Sequence, residues 1–382
     1  MIAPMDLLKH FTADIGAALA LLQVLVEMES CSSDKSAIDR LAEFLAGEFA
    51  ARGAEAEILP STTSGNALKA VWRGAGSAHP IMLLGHLDTV WAPGTILERP
   101  FVLRDGKAFG PGVFDMKSGI LLCLLVCGAF RAQHQRPAGD VIFFFTPDEE
   151  SGTAAGLPLL KAAASECRAV LCLEPPLPGG KAKTFRKGAG CFQLRVTGIG
   201  AHAGVDHEKG ASAILELSYQ VVRLHRMTRY DCGNTVSVGT IRGGSAVNVV
   251  PSQAEAEVDF RFRTLAQGRR LEKRIRQLRP HDSRCSLHWE GGINRPPLER
   301  TPEGLALYRQ AKAIASAVGM ELGEGETGGG SDGSYTAALG IPTLDGLGVE
   351  GDGAHAVHEH ILISDIPRRA ALLSLLTQEL LQ

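Results

Sequence analysis

Two glutamates, Glu149 and Glu150, close the apolar run Val141-Ile142-Phe143-Phe144-Phe145 in VIFFFTPDEESGT. A strand that apolar must be buried, and carboxylates at its end need a partner, because an unpaired buried charge is strongly disfavoured. HPIMLLGHLDTV repeats the arrangement, an apolar stretch running straight into His86-Leu87-Asp88. Two buried strands ending in metal-binding residue types suggest one shared cation site. Three further segments extend the set: GPGVFDMKSG with Asp115, LCLEPP with Glu174 and GAHAVHEH with His355. Imidazole nitrogen and carboxylate oxygen without thiolate suit zinc, with cobalt or manganese as substitutes. Five such groups exceed what one tetrahedral zinc takes. A bridging Asp115 would allow two ions about 3.5–4 Å apart, each with two further protein ligands and a shared water.

Taken singly, these residues have plainer explanations. Asp88 alone could cap a turn, and Glu149 and Glu150 would suit the first turn of a following helix. In His-Ala-Val-His-Glu-His three histidines, His355, His358 and His360, compete for one role. It is the coincidence of five segments in one chain that argues for a metal centre.

The elements that must position these groups form two patterns. Helices are expected at Ile15–Met28, Lys35–Ala51 and near Ser118–Gln133, and strands at Ala67–Trp72, Ile81–Leu84, Val141–Thr146 and Val170–Leu173. This alternation predicts an α/β domain whose mostly parallel central sheet is covered by helices on both faces. Ligands then collect at the carboxyl ends of the strands, where His86, Glu149, Glu150 and Glu174 would lie. The middle of the chain reads differently, as strand Cys191–Thr197, helix Ala211–Met227, strands Thr235–Ile241 and Ala254–Phe262, helix Leu265–Leu278 and strand Ser286–Glu290. That βαββαβ order is the split motif of a ferredoxin-like α+β domain. The first pattern resumes after Asn294-Arg295-Pro296-Pro297, with a strand near Ile341–Leu344 and a helix at Asp365–Leu381. Residues 1–187 and 295–382 are therefore expected to form a catalytic, metal-binding domain interrupted by a small domain at 188–294.

Bulk properties narrow the function. The 382 residues exceed one typical core, and 45% hydrophobic content with 44 glycines fits a loop-rich α/β enzyme. Charge is nearly balanced, 39 basic against 42 acidic residues, and with no basic stripe nucleic acid is not an expected partner. The first thirty residues lack the basic start and cleavage site of a signal peptide, and no uninterrupted apolar stretch reaches the length of a bilayer span. The eight scattered cysteines suit reduced thiols. A cytoplasmic protein with no membrane partner is expected.

GHLDTV, Asp115 in a glycine-rich segment ending DMKSG, and the glutamate pair before Ser-Gly together resemble the dinuclear zinc aminoacylase and carboxypeptidase family. That family includes acetylornithine deacetylase, succinyl-diaminopimelate desuccinylase and the glutamate carboxypeptidases. The resemblance covers nearly the whole chain and implies a zinc-peptidase α/β domain with an inserted ferredoxin-like lid that also mediates dimerisation. It implies that His86, Asp115, Glu150, Glu174 and His355 hold two divalent ions, zinc with cobalt or manganese as alternatives, and that Asp115 bridges them. In the family the ligand histidine precedes a glutamate by four positions, which selects His355 with Glu359. Asp88 would fix the imidazole of His86. Glu149 would be the general base that takes a proton from the attacking water and passes it to the leaving amine.

The same resemblance bears on substrate. His202, in the glycine-rich Thr-Gly-Ile-Gly-Ala-His-Ala-Gly, would reach the active site of a partner subunit and stabilise the oxyanion, which makes a homodimer through the lid the expected assembly. Asn248 and Arg261 match positions that bind a substrate carboxylate; without the family match, a surface salt bridge would serve equally for Arg261. Gly329 and Gly330, in Gly328-Gly329-Gly330-Ser331-Asp332, would offer amides to a second anionic group. This glycine run and the Ile-Pro-Arg-Arg near the end are most similar to the glutamate carboxypeptidase branch. The expected activity is metal-dependent release of a C-terminal amino acid, glutamate foremost, from an N-acyl or folate-like substrate or short peptide. An N-acyl-amino-acid deacylase of the acetylornithine deacetylase or aminoacylase type is the alternative.

Overall fold

Six strands form one sheet in the order Glu55–Leu59, Ala67–Trp72, Gly139–Thr146, Ala78–His86, Ala169–Cys172 and Thr343–Leu344 in the computed structural model, which describes residues 3–134 and 136–382. The last four run parallel, and only Ala67–Trp72 runs against its neighbours. Both faces of the central strands are covered, which is why their sequences are continuous apolar runs rather than alternating ones. Leu83, Phe143, Phe145 and Leu171 enter one core beneath helices Ile15–Glu27, Lys35–Ala51, Ser118–Ala132 and Ile366–Leu380. Met82, Leu84, Phe144 and Val170 enter another, against helices Gly156–Ala164 and Gly333–Ala338.

Strand register sets the geometry of the carboxyl ends. His86 pairs with Thr146 and Leu84 with Cys172. His86 and Glu174 therefore each stand two residues beyond the Leu84–Cys172 pair, and the Asp148–Glu150 turn leaves the sheet beside them. A second, small sheet of four short strands, Gly351–Asp352, His360–Leu362, Lys107–Phe109 and Val102–Arg104, cross-links the stretch before Asp115 to the stretch after His355.

Among the described residues the helical stretch Val113–Ala132 has the length and hydropathy of a membrane span, but Asp115, Lys117 and Arg131 interrupt it and most of it is buried inside the protein. Helix Ser118–Ala132 is apolar on nearly all sides because it lies between the sheet and the helices Ile15–Glu27 and Ile366–Leu380.

The chain divides into two compact units. One comprises Met1–Phe185, Arg300–Glu326 and Ser331–Gln382; the other comprises Arg186–Glu299 and Thr327–Gly330. The second unit is a four-stranded antiparallel sheet in the order Thr235–Gly243, Gln253–Phe262, Gly188–Thr197 and Ser286–Arg295, with helices Ala213–His225 and Leu265–Arg276 in its two apolar clusters. Its chain order is βαββαβ. The last strand runs five residues beyond the expected Glu290, through Gly291 and Gly292, because these glycines adopt φ values of 105° and 154° that carry the strand through a kink instead of ending it. The segment Thr327–Gly330 joins this unit because the amide of Lys187 donates to Thr327 O at 3.0 Å and Arg186 Nη1 donates to Gly330 O at 2.8 Å.

Gly119 sits in the first turn of helix Ser118–Ala132, where a Cβ would come within 2.5 Å of Leu173 O. Gly119→Ala must therefore push away the backbone that carries Glu174. The expected cost is about 1–3 kcal/mol in denaturant unfolding, accompanied by weaker metal retention. An unchanged unfolding midpoint would mean that the strand end yields freely.

Candidate metal centre

His86 ends its strand fully buried, and its ring is oriented from one side. Nδ1 lies 2.9 Å from Asp88 O and 3.3 Å from Asp88 Oδ1, which leaves Nε2 facing Asp115 Oδ1 at 3.2 Å and Glu174 Oε1 at 3.7 Å. The second histidine, His355, stands across Asp115. Its Nε2 lies 3.4 Å from Asp115 Oδ2 and 3.0 Å from Glu150 Oε1. The two oxygens of Asp115 thus face different histidines, and the ligands sort into two trios, His86–Glu174–Asp115 and His355–Glu150–Asp115. His358, the competing histidine, is exposed and faces Asp352 at 3.9 Å. His360 lies against Phe109.

Around a tetrahedral ion with ligands at about 2.0–2.2 Å, neighbouring ligand atoms lie about 3.3–3.6 Å apart. The histidine-to-carboxylate separations, 3.0 to 3.7 Å, lie close to that edge length. The donor set is imidazole and carboxylate only, so the residues fit zinc or a similar divalent ion. Glu149 faces the first trio: its carboxylate and the ligand atoms of His86 and Glu174 all lie within 4.8 Å of one another. Glu150 lies within 4.8 Å of His86 and Asp115 as well, but its short contact, 3.0 Å, is to His355.

Asp88 does more than orient His86. Its Oδ1 accepts the amide of Glu149 at 3.0 Å, and its Oδ2 accepts the amide of Glu150 at 3.1 Å and the Ser32 hydroxyl at 2.7 Å. Asp332 grips the same turn from its flanks, accepting the hydroxyls of Thr146 and Thr153, each at 2.5 Å. Thr153 has φ 59°, unusual for a β-branched residue, and its hydroxyl contact holds it there. Ser32 and Asp332 were not predicted from the sequence. Asp332 stood in the glycine-rich run read as an anion cradle, whereas nothing near Ser32 marks it out.

The remaining predicted residues belong to the second unit. His202 and Val249 pair in a two-residue ladder, His202 Nδ1 accepts the amide of Gly204 at 3.2 Å, and the amide of Ala203 donates to the adjacent Asn248 O at 3.0 Å. Arg261 directs Nε and Nη2 at the carboxylate of Asp259, at 2.7 to 3.0 Å. Gly329 and Gly330 turn their carbonyls toward Arg186, and the amide of Gly329 makes a long 3.4 Å contact to Thr327 Oγ1.

The electrostatics follow from the crowding. Burial opposes the charge on Asp115, but the histidines donating to it hold its carboxyl well below the usual range. Burial pushes Glu150 up, only partly offset by His355. Burial would lower His86, yet its hydrogen bonds to Asp115 and Asp88 carry it well above the ordinary imidazole value. Hydrogen bonds to Asp115 and then Glu150 raise His355 to about 10.

The model of the family described as peptidase family M20/M25/M40 matches residues 82–379. The chain belongs to that family. As an M20 protein it is a metal-dependent hydrolase. It is 28% identical over 383 residues to carboxypeptidase G2 of Pseudomonas sp. (strain RS-16), covering 98% of this chain and 92% of that one. It is 30% identical over 338 residues to succinyl-diaminopimelate desuccinylase of Dechloromonas aromatica (strain RCB), covering 83% and 88%. Among solved structures, aminopeptidase PepT from Bacillus cereus shares the fold with a TM-score of 0.80 at 21% identity, over 96% of this chain and 99% of that chain. A dinuclear metal-binding M20 peptidase of Bacillus subtilis does so with a TM-score of 0.73 at 15% identity, over 97% and 99%.

The raised imidazole values imply proton-linked metal uptake. Without metal, His355 is protonated up to about pH 10, above its ordinary 6.5, so its contact with Asp115 and Glu150 stabilises the fold below pH 6.5 and is lost as pH rises through 10. An arriving ion must displace that proton, and the raised His86 works against metal in the same sense. Zinc added to metal-free protein at pH 8 is expected to release protons, that of His355 foremost, and binding should weaken as pH falls. Calorimetry in buffers of different ionisation enthalpy measures this release; heats independent of the buffer would contradict it.

Proposed function

We propose that this M20 protein runs on two divalent ions, zinc first among them, and releases a C-terminal amino acid, glutamate foremost, from N-acyl or folate-like substrates. The observation that carries the two-ion reading is Asp115, whose two oxygens face separate histidines, each accompanied by its own glutamate. The first trio would hold one ion and the second trio the other. Such ions supply Lewis acidity toward a scissile carbonyl and acidify a bound water.

The chain's own residues do the rest. Glu149 takes a proton from the attacking water on its carboxylate and returns it to the leaving nitrogen. Asp88 fixes where that carboxylate stands by holding the Glu149 amide and the His86 ring at once. His202 donates to the developing oxyanion. Asn248 and Arg261 receive the substrate's terminal carboxylate, Arg261 by redirecting part of the fork that now meets Asp259.

Release of a C-terminal amino acid is favoured by the likeness to carboxypeptidase G2 over nearly the full chain. A second reading, hydrolysis of an N-acyl group whose acyl part sets specificity, is favoured by the slightly higher identity to succinyl-diaminopimelate desuccinylase over a shorter match. We also propose that the protein acts as a homodimer in which His202 serves the partner's site. Strand Thr235–Gly243 is an edge strand of its sheet, and helix Ala213–His225 leaves Leu215, Tyr219 and Val222 exposed, a surface that suits a second copy.

Hydrolysis of N-acyl-glutamates, N-succinyl-diaminopimelate, N-acetylornithine and N-acetylated neutral amino acids by zinc-loaded protein separates the two substrate readings. The glutamate series should be fastest, and Glu149→Ala should lose at least about a thousandfold in kcat with both ions retained. Preference for the succinyl or acetyl substrates would favour the deacylase. Mixing inactive Glu149→Ala with inactive His202→Ala should restore part of the activity through mixed dimers; failure to do so while mixed dimers form would exclude service across subunits.

A further inference from the structure

Glu359 is buried, and its carboxylate gathers four N–H donors. Oε1 accepts the amides of Phe114 and Asp115, both at 3.0 Å. Oε2 accepts the amide of Gly112 and the indole N–H of Trp91, both at 2.8 Å. One side chain thus joins the Trp91 loop, the turn ending in the bridging candidate Asp115, and its own loop, which carries His355 four residues earlier. That loop has the conformation of a fixed turn: Gly353 and His355 adopt φ of 84° and 60°, and the amide of Glu359 closes on Ala356 O at 3.1 Å. Arg99 reinforces it, stacked 4.1 Å over the Trp91 ring with Nη2 at 3.4 Å from Ala356 O.

The two trios differ in how they are supported. His86 and Glu174 extend directly from parallel strands in register, and Asp88 orients His86. In the second trio, the spacing between Asp115 Oδ2 and His355 Nε2 is set between two loops, which the small sheet brings near each other and which Glu359 joins directly at the Asp115 turn. We propose that Glu359 is the positioning residue for the second ion: it sets the Asp115–His355 distance and thereby governs affinity for the ion held by His355 and Glu150, while the ion held by His86 and Glu174, which shares Asp115 but has two ligands fixed by the parallel strands, depends on it less. The proposal rests on the two-ion reading. A carboxylate is suited to this work because both oxygens accept and charge-assisted bonds are stronger than neutral ones. A glutamine would turn an amide NH2 toward two of the four donors and leave them unpaired.

The test is zinc titrated into metal-stripped protein by calorimetry, with His355→Ala and Glu174→Gln assigning each binding step to its trio. Glu359→Gln should weaken the His355 step by about 10–100-fold and the His86 step by less than about threefold. Hydrogen exchange on the metal-free protein should show Gly112, Phe114 and Asp115 amides losing protection, a readout that needs neither metal nor turnover. Trp91→Phe removes one donor of the four and should weaken the same step by a smaller factor, which keeps the test open if Glu359→Gln does not fold. Equal weakening of both steps, or an unchanged His355 step in both variants, overturns the proposal. A wild-type protein that takes only one ion removes the two-ion reading and this proposal together. If the wild type takes two and the variants do so with unchanged affinities, this proposal alone falls.

Discussion

The carboxylate of Asp88 is the constraint on which the site depends. It is almost fully buried, yet it meets the imidazole of His86, the backbone amides of Glu149 and Glu150, and the hydroxyl of Ser32. Those contacts tie the ends of two parallel strands to each other and to the loop before helix Lys35–Ala51. An acceptor so fully engaged has no rotamer to spare, and the groups it holds inherit its position. Glu149 and one candidate ligand on each side of Asp115 are therefore placed through a single side chain.

Charge explains why such an arrangement survives burial. Five carboxylates, from Asp88, Asp115, Glu149, Glu150 and Glu174, converge around two imidazoles. Like charges this close in a poorly hydrated setting repel strongly. Without ions the protein meets the problem with protons, drawing the histidines toward their cationic forms. Divalent ions replace those protons and bring more charge. The folded chain presents a preformed acidic cluster, whose neutralisation divalent ions would complete.

Much of this was legible in the sequence, and the failures have physical causes. The strands ending in His86, Thr146 and Cys172 announced themselves as continuous apolar runs because both faces are covered. Their polar ends were conspicuous for the same reason. The small sheet pairing His360 with Phe109 was not legible, since strands of two or three residues carry no periodicity. Yet that sheet steadies the approach of the His355 loop to the Asp115 turn. The strand expected to end at Glu290 continues through Gly291-Gly292 as a kink, because glycine can either end a strand or bend it. The attachment of Thr327–Gly330 to the second unit rests on Arg186 and Lys187, a tertiary contact that no local pattern records. Arg261 directs its fork at Asp259, two residues earlier on the same strand face, which is the salt bridge its sequence allowed as the alternative to a substrate contact.

The strand register has a consequence for how such a chain tolerates change. His86 and Glu174 are each two residues past the same hydrogen-bonded pair, and side chains alternate faces with every step along a strand. One residue added or lost within that two-residue offset would turn a ligand to the opposite face, whereas a loop between the segments could lengthen by many residues without moving either nitrogen or oxygen. Insertions and deletions in descendants of this gene are thus confined by geometry to the connecting loops. The coding distance between ligand segments is free to drift, while the distance from each ligand to its last paired residue is locked.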